Sequence, residues 1–546
     1  MSENSANQHK PLISTVLSAN PATGELLGEV QCTPLEEIPQ IFKEARKAQK
    51  VWAAMSFSER GKRILKIRDY LLDQGENIAR VISKENGKTI PDAFNTEILP
   101  SIMSCDWYAH KAESVLKEKI IPLGSIMTFN KRNHLLRIPY GVVGIISPWN
   151  YPFAIPFGEI IMGLMAGNAI LFKVARETPL VGVEIEKAIT AAQLPKGLCQ
   201  HIVGSGSQVA TSWFENGIDK IFLTGSVGAG KTLMRQAIDS MTPLSLELGG
   251  NDPMIVLEDA PIDRAVNGAI WAGFQNCGQS CGGVERVYVH ESIAEEFLAK
   301  LKTKTESLRQ GVDRGYFDVD LGCMTTTGQL MTVKEHVDEA LAKGARIFAQ
   351  SKPVTDWDAK LFYPATVLVD VTHDMLVMRE ETFGPVLGVM TFKTEEEVIR
   401  LANDSHLGLT SSVWTMDTKR GRRLAEQLET GVTTINDHLY THGGAELPWI
   451  GWKQSGTGAT HSHLGLVEMT KAKLVNYDIV PHIPTNLWWF PVRKFKYETI
   501  VSAPKILFGS DMKNKTKSIR RLLPQLMKDP QLREMTTMYL KARMLQ

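Results

Sequence analysis

The chain has 546 residues, with 61 Lys+Arg against 60 Asp+Glu, 43% apolar and 22% charged residues. That balance is near the globular average and excludes a disordered, collagen-like or coiled-coil chain, while the length suggests two or three domains with large cores. The net charge of +1 gives no reason to expect a nucleic-acid partner. The charge is uneven, however. Residues 493–546 carry 13 Lys/Arg and 4 Asp/Glu, a net of +9, which leaves −8 on the rest. The six cysteines (Cys32, Cys105, Cys199, Cys277, Cys281 and Cys323) form no CxxC pair. A disulfide scaffold and a zinc ribbon are therefore not expected. The opening MSENSANQHK has no apolar core of a signal peptide, so a reducing, cytoplasmic setting is expected.

In chain order, residues 57–90 read as an amphipathic helix, with Ile64, Ile67 and Leu71 at helical spacing. Residues 120–140 alternate enough to suggest an extended hairpin leaving the main body. Residues 141–172 are nearly uncharged, but Pro148, Pro152 and Pro156 break any membrane-spanning helix. The expected reading is a buried strand over 141–146, a Pro-rich loop and a buried helix from about Phe157. Strands are then expected at 169–173, 200–203 and 220–224, and helices at 181–192 and 231–240. A second run of alternating strands and helices extends from about Pro253 to about Val432. This alternation predicts parallel α/β sheets in at least two lobes.

Residues 225–232, GSVGAGKT, match the P-loop pattern after a short apolar strand. The same small residues suit a nucleoside-triphosphate site, a dinucleotide pyrophosphate site or a plain tight turn. In FQNCGQSCGGVER, Cys281 is flanked by glycines that open its backbone to a substrate, as a thiolate nucleophile requires. Cys277 reads as a small buried apolar residue, and the pair lacks further ligands for a metal. In LELGGNDP, Glu247 sits between leucines, where desolvation raises a carboxyl pKa toward that of a general base. In SPWNYPF, Asn150 occupies a Pro-flanked loop from which its amide can meet an oxyanion or bond its own backbone.

Taken together and in order, SPWNYPF, LTGSVGAGK, LELGGNDP, GQSC, EETFGPV and LPWIGWKQSGTG resemble the NAD(P)-dependent aldehyde dehydrogenase superfamily over roughly residues 15–478. The resemblance implies a two-lobed α/β fold: a Rossmann-type cofactor domain (1–119 and 141–249), an α/β catalytic domain (250–463) and a small oligomerisation arm (120–140 and 464–480), followed by a basic, aromatic extension (481–546). It implies Cys281 as nucleophile, Glu247 as general base and Asn150, with the Cys281 backbone N–H, as oxyanion donors. For NAD or NADP it implies Trp149 in the cofactor wall and Lys173 at the adenosine ribose. Gly225 and Ser226 would form the pyrophosphate turn, and Glu381 and Phe383 would hold the nicotinamide end. No metal is required.

The family commonly has Lys-Pro-Ser-Glu where this chain has Lys173-Val174-Ala175-Arg176. An arginine there suits a 2′-phosphate, or else points to solvent while NAD binds. Ile450 replaces a usual glycine, and Ala459-Thr460 a usual Arg-Glu, which puts local packing in doubt. No basic residue lies between Asn150 and Gly163, and Phe153, Ile155 and Phe157 suggest an apolar tunnel or core. The expected activity is oxidation of a nonacidic, aliphatic aldehyde to the acid by a homodimer or homotetramer. A P-loop NTPase, a noncatalytic scaffold and transfer of the thioester to coenzyme A are the alternatives. In the tail, NLWWFP, the basic run after it, and Ile519, Leu522, Leu523 and Leu526 suggest a peripheral membrane contact through 484–546 or an arm on a neighbouring subunit. Pro524 weakens the helix expected there.

Overall fold

The protein is seen in a computed structural model that describes residues 14–124, 128, 130–352, 354, 361–482, 484, 486, 488–528, 530, 533 and 537. The opening decapeptide, Leu487 and the side chains of Phe495 and Leu526 lie outside the described residues. The chain divides into two units, Met1–Leu116 with Ile138–Lys471, and Lys117–Arg137 with Ala472–Gln546.

The first unit holds two large sheets. One has six strands in the order Gly456–Thr457, Leu244–Glu247, Lys220–Thr224, Val142–Ile146, Ala169–Lys173, Cys199–His201. Its strands run parallel except at the 456–457 edge. The inner strands are buried on both faces, which accounts for their unbroken apolar sequence. From Val142–Ile146 the chain winds outward one way and then, from Lys220–Thr224, the other way. That reversal opens a crevice at the carboxyl ends of the strands. The other sheet has seven strands in the order Arg346–Gln350, Thr366–Val369, Val386–Phe392, Val284–His290, Asp252–Val256, Thr410–Trp414, Val432–Ile435. Only its 346–350 edge is antiparallel.

The helix expected at 57–90 is Phe57–Asn86, started by a Ser56/Glu59 capping box and stopped by Gly87 at φ 97°. Two helix starts differ from expectation. Ala154–Met165 begins before Phe157, because Pro156 falls in the first turn, where its missing N–H costs nothing. Val227–Ala237 begins four residues before the expected 231, because the Ser226 side chain caps it by accepting from the Ala229 N–H. Gly228 and Gly230 are thus helical and form no loop.

The first unit keeps residues 464–471, with a helix over Ser462–Glu468, and the second unit resumes at Ala472. In the second unit Lys131–Pro139 pairs with Lys119–Ile121 and lies beside Thr470–Asp478 in a three-stranded sheet. Two helices follow, Lys494–Leu507 and Met512–Lys528. The second continues through Pro524, which removes a single backbone bond near its end rather than stopping it. Among the described residues no helix is long and apolar enough to cross a membrane.

One buried ion pair ties the first unit together. Lys88 Nζ donates to Glu97 Oε1 at 2.8 Å and to the Asn150 carbonyl at 2.8 Å, with both charged side chains fully buried. Glu97 Oε2 accepts from the Phe153 N–H at 2.7 Å and so caps the Ala154–Met165 helix. Removing one member leaves the other as an unpaired buried charge. Glu97→Ala is expected to cost about 3–5 kcal/mol, read as a lower urea midpoint. An unchanged midpoint would show that the pair does not hold this region.

Candidate active site

The expected site residues converge on the carboxyl edge of the six-stranded sheet. Trp149 and Asn150 follow Val142–Ile146, and Lys173 ends Ala169–Lys173. Gly225 and Ser226 follow Lys220–Thr224, and Glu247 ends Leu244–Glu247. Parallel strands place all these ends on one side, so residues far apart in sequence become neighbours.

Glu247 is 7% exposed, and burial raises its pKa to about 7. Its Oε1 accepts from the Trp449 indole Nε1–H at 2.9 Å. Its Oε2 has no hydrogen-bond partner among the described residues. The Cys281 thiol lies on the wall of the same cavity as this carboxylate. Burial, then the facing Glu247, Glu381 and Asp252 carboxyls, hold that thiol well above its ordinary pKa, so it rests protonated beside a base of near-neutral pKa.

Cys281 reaches Glu247 through a strained turn. Asn276 and Cys277 lie at φ 52° and 53°, and Gly278 at 67°. A Cβ on Gly278 would come within 2.1 Å of the Gly384 carbonyl, and one on Gly250 within 2.1 Å of the Cys281 carbonyl. Only glycine allows either approach. Among the described residues, the Cys281 backbone N–H has no acceptor. Asn150 Nδ2 donates to the Gln279 carbonyl at 3.0 Å, and among the described residues its second amide proton has no acceptor. Asn150 is thus bonded across to the nucleophile turn and not to its own backbone.

The other expected residues surround an adjacent crevice. Glu381 is half-buried, its Oε1 accepting from the Gly250 N–H at 2.9 Å. Phe383, at φ 50°, meets Trp149 edge to face at 5.6 Å. The Phe383 N–H and the Thr382 N–H both donate to the buried Glu285 carboxylate, which therefore fixes this loop. Lys173 is buried and donates to the Val174 carbonyl at 2.9 Å. Arg176 is exposed and forms no ion pair or hydrogen bond among the described residues. The P-loop match is spent locally: Lys231 donates to Gln454 Oε1 at 2.7 Å, and Thr232 to the Gly228 carbonyl of its own helix at 2.9 Å. Cys277 is buried with its thiol near the Gly322 carbonyl, as expected of an inert residue.

Two cavities meet at the cysteine. One, of about 210 Å³, is bounded by Trp149, Asn150, Gly225, Ser226, Glu247, Glu381 and Phe383. The other, of about 450 Å³, is walled by Leu99, Met103, Tyr151, Trp271, Leu447 and Trp449, with no Lys or Arg among its lining residues. Cys281 alone lines both. A third, of about 1020 Å³, contains Lys173, Arg176 and the Gly204–Gly206 turn. Of the two readings of Phe153, Ile155 and Phe157, tunnel or core, the core one holds: Phe153 and Phe157 stack at 5.0 Å and all three are buried. Trp449, Trp271 and Leu447 were missed because the lining is drawn from segments distant in sequence. Tyr151, inside SPWNYPF, and Trp449, inside LPWIGWKQSGTG, were the available signals.

The crevice fits a dinucleotide. It lies at the strand-order reversal, a helix N-terminus opens onto it at Ser226, and a Cβ on Gly225 would meet nothing closer than 3.8 Å.

The family model described as "Aldehyde dehydrogenase family" matches residues 9–475. A 4,4'-diapolycopene aldehyde oxidase from Methylomonas sp is 36% identical over 501 residues, covering 91% of this chain and 92% of that protein. A provisionally named succinate-semialdehyde dehydrogenase, NADP(+), from Mycolicibacterium smegmatis is 34% identical, covering 85% and 90%. The solved betaine aldehyde dehydrogenase of Staphylococcus aureus, in complex with NAD+, superposes with a TM-score of 0.80 at 29% identity, covering 87% of this chain and 94% of that one. The match across nearly the whole chain, with the same fold, makes this protein a member of the aldehyde dehydrogenase family.

Proposed function

We propose that the protein oxidises a nonacidic, apolar aldehyde to its carboxylic acid through a covalent adduct on Cys281, with NAD or NADP. The observation that carries this reading is Cys281, sharing a cavity wall with Glu247, at the junction of an apolar cavity and the dinucleotide crevice.

Glu247, poised near pH 7, takes the thiol proton as Cys281 sulfur attacks the aldehyde carbon. The developing oxyanion is met by the Cys281 backbone N–H and the second amide proton of Asn150. The dinucleotide, when bound, supplies the hydride acceptor that leaves Cys281 as a thioester. Trp149, Lys173, Arg176, Gly225, Ser226, Glu381 and Phe383 would hold it. Glu247 releases the thiol proton to solvent and then deprotonates a water that attacks the thioester carbon; the C–S bond breaks, the acid leaves and Glu247 returns the proton to the Cys281 sulfur. A buried base beside the sulfur supports hydrolysis over transfer to coenzyme A.

The apolar cavity offers no cation to an acidic semialdehyde, and the Methylomonas relative bears the name of an oxidase of a long apolar aldehyde. We further infer a cytoplasmic homodimer or homotetramer joined through the 117–137 and 472–480 strands, with a peripheral membrane contact through 484–546. The cofactor lobe is assigned to the six-stranded sheet and the catalytic lobe to the seven-stranded sheet.

Cys281→Ala is expected to lower kcat/KM by about 10³–10⁴-fold, measured by reduced-nicotinamide absorbance. Glu247→Gln should slow both the first turnover and the steady rate, the latter about 10²–10⁴-fold; steady turnover near wild type would reject Glu247 as the base. Since Glu247 acts as the carboxylate, kcat should rise with pH through about 7. Trp449→Phe keeps a ring but removes the N–H that stabilises the charged form. That limb should move upward by about one unit, and an unmoved limb would show that Trp449 is only wall. Arg176→Ala should lower kcat/KM for NADP about tenfold relative to NAD; an equal effect on both would assign Arg176 to solvent.

A further inference from the structure

The C-terminal part of the second unit has its polarity reversed. Lys496, Glu498, Ser502 and Ser518 are buried, whereas Trp488, Trp489, Val492, Tyr497 and Met512 are exposed and Phe490 is 90% exposed. A folded unit in water buries its aromatic surface first, so a contiguous exposed aromatic run marks a surface that meets something else. The run is ordered from within. Lys496 Nζ donates to the Trp489 carbonyl at 2.9 Å, which ties the Trp-Trp-Phe segment to the first turn of the Lys494–Leu507 helix. Arg521 pairs with Glu498 across to the Met512–Lys528 helix.

The exposed charge is mostly basic, with Asp511 as an exposed acidic residue at the start of the second helix. Arg493, Lys494, Lys505, Lys513, Lys517 and Arg520 are all exposed. Lys513, Lys517 and Arg520 border one shallow groove with Met512 and Thr516, at the i, i+4, i+7 spacing of a single helix face. Exposed tryptophans followed in sequence by Arg493 and Lys494, with a basic helix face in the same unit, match the two layers of a bilayer surface: indole rings suit the headgroup–acyl boundary, and cations suit anionic headgroups. A second copy of this chain would bring the same positive charge to the same face, which argues against self-association there.

Deepening the peripheral contact proposed for 484–546, we propose that this face docks on an anionic lipid bilayer, with Trp488, Trp489 and Phe490 as interfacial anchors and Lys513, Lys517 and Arg520 as the headgroup contacts. The docking places the enzyme where an apolar aldehyde is dissolved.

The test is flotation of the full-length protein with vesicles of phosphatidylcholine alone or mixed with phosphatidylglycerol, without aldehyde. Wild type should float with the mixed vesicles and be released by high salt. Combined Lys513→Gln, Lys517→Gln and Arg520→Gln should weaken partition about a hundredfold, about fivefold per cation. Combined Trp488→Ser, Trp489→Ser and Phe490→Ser should abolish it while circular dichroism and the thermal midpoint stay near wild type. Cys281→Ala should float like wild type, so failure of the catalytic proposal and failure of this one give different results. Absence of the wild type from the mixed vesicles, or partition untouched by both variants, overturns the proposal. So does a sedimentation mass that drops in the aromatic variant without any vesicle binding, which would assign the face to another subunit.

Discussion

The rest of the structure is arranged around a buried carboxylate with one oxygen left unpartnered. Glu247 cannot be charged inside a protein without support, and cannot act as a base if both oxygens are taken. The Trp449 N–H satisfies one oxygen and the Cys281 thiol lies against the carboxylate. The result is a pKa near 7, between a solvated glutamate and a permanently neutral one. Glycine at 250 follows from the same demand, because the Cys281 turn comes within contact of the segment that follows Glu247, while glycine at 278 lets that turn pass against the Gly384 carbonyl.

Around this centre, the positioning bonds are themselves buried and charge-assisted. Lys88 reaches the Asn150 carbonyl while paired to Glu97, and Glu285 gathers the N–H groups of Thr382 and Phe383. Such pairs contribute little net stability, yet they are costly to break singly, so they hold the loops to one geometry. His438 works alike: burial lowers its pKa to about 4, which keeps it neutral, and its Nε2 lies 2.9 Å from the Gly282 carbonyl beside the nucleophile.

The two sides of Cys281 differ in kind. The dinucleotide side is built from strand ends and a helix N-terminus, main-chain features that suit phosphate. The opposite side is built from tryptophan, leucine, methionine and tyrosine side chains, with no cation among them. The sheet topology thus fixes where the crevice lies, while the choice of side chains across from it sets what carbon chain can enter.

Much of this was legible in the sequence. The strand–helix alternation, the burial of Val142–Ile146 and Ala169–Lys173, and the chemistry expected of Cys281, Glu247 and Asn150 rest on local patterns, because apolar runs, glycine pairs and flanking leucines act over a few residues. The helix start at Val227 was misplaced by treating glycines as loop when a serine cap decided otherwise. The tertiary structure alone decided that Trp449, 202 residues from Glu247, is its hydrogen-bond donor. It alone chose core over tunnel for Phe153 and Phe157 and drew the apolar wall from four distant segments. Residue type and spacing determine what a group can do. Burial and the partner across the fold determine whether it is charged, satisfied or exposed, and those are set only when remote parts of the chain meet.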